Sequence, residues 1–380
     1  MKKKILFFIL NLSGGGAERM LCDIVGYMNP EKYDITVQTF YDVGAYKDRL
    51  PGYVRYRTVV SRKVDVIRKV NGRLLWQKMP KGYVYEKYIR ADYDYEVAFL
   101  EGLSTKLIAD GIKDKKEGGP KRFAWVHADL FTYYYTGKFY GSVEEEAASY
   151  KKFDRVVCVS ENARDCFVKR YGDTPNLCVK YNFIDRERIL KMSRETPAHG
   201  LPQKAGGEFL IVTVGRLNLQ KGYDRLLSAI HELHSGGMPC RLWIFGEGEE
   251  RGALERYIKQ NGMCEYVELF GFVDNPYCYI KEGDLFVCSS RGEGYGLAIA
   301  EAMLLGVPVV STDCAGPAEL LNHGEAGLIV ENSKEGIRRG MVEMYESKEL
   351  RLKFQKAGME RVHFFEPSYR MSQIEELFEE

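Results

Sequence analysis

Residues 284–306 read DLFVCSSRGEGYGLAIAEAMLLG, in which an apolar stretch, a glycine-rich turn and a run of helix formers follow one another. The first part, DLFVC, is short and apolar, which is typical of a buried strand. The run that begins at Leu297 favours a helix, and Gly306 with Pro308 forms a common helix stop. The glycines therefore lie between the carboxyl end of a strand and the start of a helix.

Two glutamates flank the start of this predicted helix, Glu293 in the turn and Glu301 in the helix. The backbone N–H groups of Tyr295, Gly296 and Leu297 would lie at the helix N-terminus, where unpaired donors and the helix dipole attract phosphate. The turn thus offers donors for a diphosphate and two acceptors for hydroxyl groups. A plain glycine-rich turn, with Glu293 solvated and Glu301 on the helix surface, is equally consistent with these residues.

Composition limits the class of protein. A chain of 380 residues with 45% hydrophobic and 29% charged residues predicts two globular domains. The net charge of +1 gives no bulk attraction to nucleic acid, so no nucleic-acid partner is expected. The nine cysteines contain no C-x-x-C pair, which predicts reduced thiols in a cytoplasm and neither a zinc site nor a disulfide framework.

Apolar strand patterns alternate with helical patterns twice along the chain, which predicts parallel sheets with right-handed crossovers. A segment rich in proline, glycine and polar residues, 192–208, separates the two series and is the expected linker. We therefore expect an α/β protein with two doubly wound, Rossmann-like domains that face one another across a cleft. Their expected ranges are 1–190 and 206–362, with a terminal helix at 363–380 that packs back onto the first domain.

Other candidate residues follow predicted strands, where open α/β sheets bind ligands. Gly14, Gly15 and Gly16 open a helix whose first turn contains Glu18. The spacing matches neither G-x-G-x-x-G nor a P-loop, so neither NAD nor a Walker site is favoured, and a simple tight turn is the alternative.

Charged and polar residues follow two further predicted strands. Arg216 and Lys221 follow the first strand of the second series, and two cations before a helix suit a diphosphate, although isolated cations are more often solvated. His127 ends a strand and is followed by Asp129. A histidine at this position is a candidate site residue, and a structural role is equally consistent.

Taken together, these stretches resemble the retaining glycosyltransferases of family 4, which have the GT-B fold. The shared motifs are E-G-Y-G-L-A-I-A-E, V-G-R-L followed by Q-K-G, G-G-A-E-R and W-V-H-A-D, and the resemblance covers nearly the whole chain. It implies a nucleotide-diphosphate-sugar donor and transfer with retention at the anomeric carbon. It implies no metal and no other cofactor.

The resemblance also assigns roles to residues. Arg216 and Lys221 would hold the diphosphate, Glu301 the ribose hydroxyls and Glu293 the hydroxyls of the donor sugar, with His127 near that sugar. The catalytic set is then His127, Glu293, Arg216 and Lys221. The remaining implied substrate-binding residues are Gly15, Gly16, Glu18, Asp129, Asn182, Gly246, Gly271, Phe272, Gly294, Tyr295, Gly296, Leu297 and Glu301.

The chemistry of the reaction agrees with this assignment. Cleaving a sugar–phosphate bond places negative charge on the diphosphate, and two cations with a helix N-terminus can stabilise that charge in place of a metal. Retention without an obvious carboxylate nucleophile favours a same-face displacement, in which the leaving phosphate oxygen takes the acceptor proton. Glu293 as a covalent nucleophile is the alternative.

The acceptor is suggested by residues 55–90, which contain eleven lysines and arginines, two acidic residues and interleaved aromatic residues. Such a surface suits anionic lipid headgroups or a lipid diphosphate, and an ordinary solvated insertion is equally consistent. We predict a cytoplasmic enzyme at the inner face of the membrane that transfers a hexose or N-acetylhexosamine, UDP-linked, to a glycan or polyprenyl-diphosphate-linked acceptor in surface-polysaccharide synthesis. The alternatives are a soluble transferase for a small metabolite and a non-catalytic nucleotide-sugar-binding protein.

Overall fold

The computed structural model describes residues 1–61, 79–112, 118–197, 200–201 and 207–379. Contacts divide the chain into two units, one of Met1–Asn182 with Ser368–Glu380 and one of Phe183–Pro367. Residues 183–190, expected in the first domain, thus belong to the second unit. Parts of the expected linker, and residues 62–78 of the expected basic surface, lie outside the described residues.

The first unit contains a seven-stranded sheet in which every pairing is parallel, in the order β3-β2-β1-β4-β5-β6-β7. Its strands are β1 (Lys3–Ile9), β2 (Tyr33–Tyr41), β3 (Arg55–Val60), β4 (Tyr95–Ala98), β5 (Lys121–Val126), β6 (Arg155–Cys158) and β7 (Leu177–Val179). Its longer helices are α1 (Gly16–Tyr27), α2 (Leu103–Gly111), α3 (Val143–Tyr150) and α4 (Glu161–Tyr171).

The second unit contains a six-stranded parallel sheet in the order β10-β9-β8-β11-β12-β13. Its strands are β8 (Phe209–Val214), β9 (Cys240–Phe245), β10 (Val267–Gly271), β11 (Leu285–Cys288), β12 (Val309–Thr312) and β13 (Leu328–Val330). Its longer helices are α5 (Arg186–Ser193), α6 (Tyr223–Ser235), α7 (Arg251–Gln260), α8 (Leu297–Leu304), α9 (Ala315–Leu320), α10 (Lys334–Glu346) and α11 (Lys348–Arg361).

The predicted α/β class with two doubly wound parallel sheets is confirmed. The edge strands β3 and β13 were not predicted from the sequence. β3 alternates exposed and partly buried residues, and β13 is three partly buried residues long, so neither gives the continuous apolar run of a central strand. The central strands do give that run, because helices cover both faces of the sheet.

The last helix, α12 (Pro367–Glu376), leads the chain onto the first unit. The Phe378 ring is fully buried and lies 5.3 Å from the ring of Tyr95 and 6.0 Å from that of Phe7, both in central strands. The Tyr95 hydroxyl donates to the Phe378 carbonyl at 2.9 Å. The end of the chain thus completes the core of the unit that contains its beginning.

In each sheet the strand order reverses between two adjacent strands, β1 and β4 in the first and β8 and β11 in the second. At such a switch point the chain leaves the two carboxyl ends in opposite directions and opens a crevice between the loops, which is where open α/β sheets bind ligands.

Candidate functional site

The switch point of the second unit brings together the two loops that the sequence analysis singled out. The loop after β8 contains Arg216 and Lys221, and the loop after β11 contains Glu293. These loops are far apart in sequence but adjacent in space because β8 pairs with β11.

Lys221 and Glu293 form an ion pair at this switch point. The Lys221 ammonium donates a hydrogen bond to the Glu293 carboxylate, which also accepts one from the Ser290 hydroxyl at 3.4 Å. The exposed fractions of the two side chains are 24% and 14%, so the pair is shielded but reachable. We refer to this contact as the site ion pair. Glu293 is therefore not the solvated turn residue of the simpler alternative.

The pKa of Lys221 is set by two opposing effects. Burial lowers it, whereas the charge and hydrogen bond of Glu293 raise it, and the net result lies above the ordinary value for lysine. Lys221 therefore carries a full positive charge at neutral pH.

A set of hydrogen bonds joins the two loops beside the site ion pair. The backbone N–H of Arg291 donates to the Gln220 carbonyl at 2.7 Å, and the Gln220 amide donates to the Gly292 carbonyl at 2.9 Å. The Arg291 guanidinium also forms two bonds to the Asp224 carboxylate, at 2.8 and 2.6 Å. Such two-point pairing fixes the relative position of the loops.

Gly296 directly precedes α8 and has a left-handed conformation, with φ +97° and ψ +52°. Helix α8 starts at Leu297, as predicted. Gly316 allows α9 to approach the same turn, because a Cβ there would lie 2.4 Å from the backbone nitrogen of Tyr295, and its N–H donates to the Glu293 carbonyl at 2.9 Å. The glycines therefore shape the turn around Glu293.

Glu301 lies inside the second unit and not on the helix surface. Its side chain is 2% exposed, and one carboxylate oxygen accepts a hydrogen bond from the Tyr277 hydroxyl at 3.4 Å. A buried carboxylate requires hydrogen-bond donors, which here include a residue from the short helix Tyr277–Ile280.

The other predicted residues of this unit lie near the same edge of the sheet. Arg216 is exposed, one residue beyond Gly215. Gly246, with φ +143°, allows close packing of two strand-end loops, since a Cβ there would lie 1.9 Å from the Gly215 carbonyl oxygen. Gly271 ends β10 with φ +77°, and the Phe272 side chain beyond it is 41% exposed.

In the first unit, the glycine loop follows β1 at the switch point. Gly15 precedes α1, and Gly16 is its first residue. Glu18 lies in the first turn and is buried, 5% exposed, which places its side chain inside the unit.

His127 directly follows β5, and its ring lies 4.8 Å from the ring of Phe99. Burial lowers its pKa to about 3, so the imidazole is neutral at physiological pH. Its Nε2 atom has no hydrogen-bond partner among the described residues. A neutral ring with an unpaired nitrogen can accept or donate one hydrogen bond to a ligand.

Asp129 and Asn182 are both buried. Asp129 accepts hydrogen bonds from the backbone N–H groups of Phe131 at 3.0 Å and Thr132 at 2.9 Å, so it stabilises the turn after β5. Asn182 is the last residue of the first unit before the chain enters the second.

Glu101 was missed by the sequence analysis, although it follows β4 at the switch point of the first unit. Its carboxylate accepts hydrogen bonds from the backbone N–H of His127 at 2.8 Å and from the hydroxyl of Tyr135 at 2.5 Å. Burial raises its pKa. Its position after the apolar run YEVAFL was the available signal.

The described residues contain neither a cluster of metal ligands nor a helix that could span a membrane. No group of three or more histidine, cysteine, aspartate or glutamate side chains there is arranged to hold a metal ion. No helix in that part of the chain is long and apolar enough to cross a membrane.

Residues 208–347, which include the site ion pair, match the family described as Glycosyl transferases group 1. The lipopolysaccharide core biosynthesis glycosyltransferase LpsE of Rhizobium meliloti is 28% identical over 228 residues, 58% of this chain and 62% of LpsE. The chain thus spans less than two thirds of the length of that relative.

A second relative matches over more of its length. The N-acetylgalactosamine-N,N'-diacetylbacillosaminyl-diphospho-undecaprenol 4-alpha-N-acetylgalactosaminyltransferase of Campylobacter jejuni is 26% identical over 372 residues, 96% of each chain. The crystal structure of Anabaena HepE in complex with UDP and glucose has a TM-score of 0.75 at 20% identity and 99% coverage of each chain. The chain therefore has the GT-B fold, and its residues 208–347 match the glycosyl transferases group 1 family.

Proposed function

We propose that the protein is a retaining glycosyltransferase that moves a hexose or N-acetylhexosamine from a UDP-linked donor to a glycan or lipid-linked acceptor in cell-surface polysaccharide synthesis. The family of residues 208–347 supports sugar transfer. The names of the two relatives support a lipopolysaccharide or diphospho-undecaprenol-linked acceptor. The UDP in the HepE complex supports the donor base.

The observation that carries the proposal is the site ion pair beside the start of α8. Lys221 is fully charged, and Arg216 lies in the same loop. The helix dipole of α8 adds partial positive charge at its first turn. In this proposal Arg216, Lys221 and the start of α8 together bind the diphosphate.

In the proposed reaction Lys221 gains a second partner when the donor binds. Without donor, Glu293 compensates its charge. With donor bound, the ammonium also contacts the diphosphate, and this attraction strengthens as negative charge develops on the leaving oxygen. The Glu293 carboxylate, held beside it, accepts from the donor sugar's hydroxyls and stabilises positive charge on the ring.

Transfer proceeds by same-face displacement in this proposal. The bond between the anomeric carbon and the phosphate oxygen breaks, and the acceptor oxygen forms its bond on the same face. The acceptor proton passes to the departing phosphate oxygen. Neutral His127 contributes one hydrogen bond to the donor sugar, and Glu301 binds the ribose hydroxyls.

No metal takes part in this scheme, because Arg216, Lys221 and the start of α8 stabilise the leaving diphosphate.

The enzyme acts in the cytoplasm at the inner face of the membrane, where a polyprenyl-diphosphate-linked acceptor is found. The basic composition of residues 55–90 supports that location.

The proposal is tested by thermal denaturation against a panel of nucleotide sugars, followed by analysis of the product. A donor at a hundredfold its Kd should stabilise the protein by roughly 2.7 kcal/mol. NMR of the product should then show the donor's anomeric configuration. The absence of stabilisation by every nucleotide sugar in the panel would contradict the proposal, and an inverted product would contradict its stereochemistry.

A further inference from the structure

Asn332 joins separate loops of the second unit, although no sequence motif marks it. It follows β13, and its side-chain amide donates to the carbonyl of Arg291 at 3.0 Å and to the carbonyl of Asp313 at 3.3 Å. These two acceptors lie in the loops after β11 and β12. The amide oxygen accepts a hydrogen bond from Arg225 at 2.9 Å. One side chain thus connects two strand-end loops to the first turn of α6.

Arg225 carries this connection toward the site ion pair. Its guanidinium donates to the Asn332 carbonyl at 3.0 Å and to the Ser289 carbonyl at 2.8 Å. The Ser289 hydroxyl in turn donates to the Lys221 carbonyl at 2.8 Å. The loops are in close contact here, since a Cβ on Gly222 would lie 2.2 Å from the Ser289 carbonyl oxygen. A continuous series of hydrogen bonds therefore runs from Asn332 to the backbone of Lys221.

A second series runs from Asn332 to the other side of the site ion pair. Arg291 accepts a hydrogen bond from Asn332 at its carbonyl oxygen. Its own N–H donates to the Gln220 carbonyl at 2.7 Å. Arg291 lies two residues before Glu293, and Gln220 lies next to Lys221. Asn332 is thus hydrogen-bonded, directly or through Arg225, to both loops that carry the ion pair.

We propose that Asn332 and Arg225 are positioning residues for sugar transfer, which act by holding Lys221 and Glu293 in their relative orientation. This inference rests on the proposed function. Neither residue contacts the donor in this account, so its loss should leave donor binding nearly intact. Small misplacements of reacting groups can cost about a hundredfold in rate, so turnover should fall far more than affinity.

The test compares Asn332→Ala, Arg225→Lys and the double variant with Asn261→Ala. Asn261 is a matched control, since its amide also donates to a backbone carbonyl, that of Tyr257 at 2.9 Å, but at the end of α7. For each protein kcat, the Kd for UDP by calorimetry and the melting temperature are measured. Because Asn332 and Arg225 belong to one hydrogen-bond network, kcat of the double variant should be only slightly lower than that of either single variant.

We expect each single variant to lower kcat by about tenfold to hundredfold and to change the UDP Kd by less than about threefold. Asn261→Ala should keep the wild-type kcat. A role in folding alone would instead lower the melting temperature while folded protein kept normal turnover, and this result would overturn the inference. If Asn332→Ala does not fold, Asn332→Asp takes its place, because it keeps the acceptor for Arg225 and removes the donors.

The outcome separates this inference from the proposed function. If the wild type binds UDP-sugar and transfers sugar while the Asn332 and Arg225 variants match Asn261→Ala, only the inference is wrong. If the wild type neither binds nor transfers any nucleotide sugar, the proposed function is wrong and the inference falls with it.

Discussion

The Lys221 ammonium donates a hydrogen bond to the carboxylate of Glu293, 72 residues further along the chain. Both residues are at the carboxyl ends of neighbouring strands, where the strand order of the sheet reverses. The ion pair keeps a lysine charged and oriented in a partly buried site before any donor arrives. Such preorganised charge is the main way in which enzymes stabilise a developing anion.

Replacement of Glu293 by glutamine and replacement of Glu301 by glutamine should cause different kinetic defects. Glu301 is assigned to ribose hydroxyls, which do not change during the reaction, so Glu301→Gln should mainly raise the donor KM. Glu293 is assigned to the sugar whose ring becomes cationic, so Glu293→Gln should mainly lower kcat. Steady-state kinetics with varied donor measures both parameters. Identical defects confined to KM would mean that Glu293 is only a binding group.

Gly296→Val should weaken donor binding through the turn that precedes α8. The left-handed backbone costs a β-branched residue roughly 1–2 kcal/mol, and the new Cβ would lie 3.1 Å from Ile299 Cδ1 and 3.5 Å from Glu293 Cγ. Gly237→Val is the control, because Gly237 also has positive φ, +90°, but open space around its Cβ position. Calorimetry with UDP should show weaker binding for the first variant alone. Equal UDP affinities in the two variants would show that strain at Gly296 does not affect donor binding.

Protonation of His127 should destabilise the first unit at acidic pH. Its pKa in the folded protein is about 3, below that of an ordinary histidine at about 6.5, so the unfolded chain binds more protons between these values. Stability from this residue is therefore present above pH 6.5 and is lost as the pH falls, by up to about 2 kcal/mol between pH 7 and pH 5. Denaturant titrations at the two pH values should show a smaller loss for His127→Gln than for the wild type. An equal loss of stability in the variant and the wild type would contradict the prediction and would mean that the imidazole contacts solvent.

Sugar transfer should persist in EDTA. In the proposed mechanism Arg216, Lys221 and the start of α8 stabilise the charge of the leaving diphosphate, so chelation should leave the initial rate unchanged within error. Rates are measured with and without EDTA, and then with added Mg²⁺ or Mn²⁺. Loss of transfer on chelation and its recovery with either metal would show that the cations do not suffice.

The sequence predicted the loops of the site well because their signals are local. The glycines around Glu293 and the helix formers from Leu297 indicate a strand-to-helix turn without reference to any other part of the chain. The ion pair itself depends on the pairing of β8 with β11, which no local pattern specifies. Local patterns therefore predict that Lys221 and Glu293 lie at strand ends, but they do not predict the contact between them.

Glu101 and Asn332 were missed for a related reason. Glu101 acts on the backbone of His127 and Asn332 on that of Arg291, at separations of 26 and 41 residues. A hydrogen bond to a distant backbone group produces no recognisable motif in the sequence, because a residue of any type can supply the backbone partner. The contacts of such residues are recognised only when the fold shows which loops they connect.

Lys221 and Arg216 are proposed to stabilise the leaving diphosphate, and the turnover of Lys221→Ala and Arg216→Ala tests this role. Removal of one such charged donor typically costs roughly 3–4 kcal/mol in the transition state, so each variant should lose at least about a hundredfold in kcat while it remains folded. Lys259→Ala is the control, because Lys259 lies on the exposed surface of α7 in the same unit. We expect wild-type turnover for the control and the hundredfold loss for the other two variants. Near-wild-type turnover in folded Lys221→Ala would contradict it.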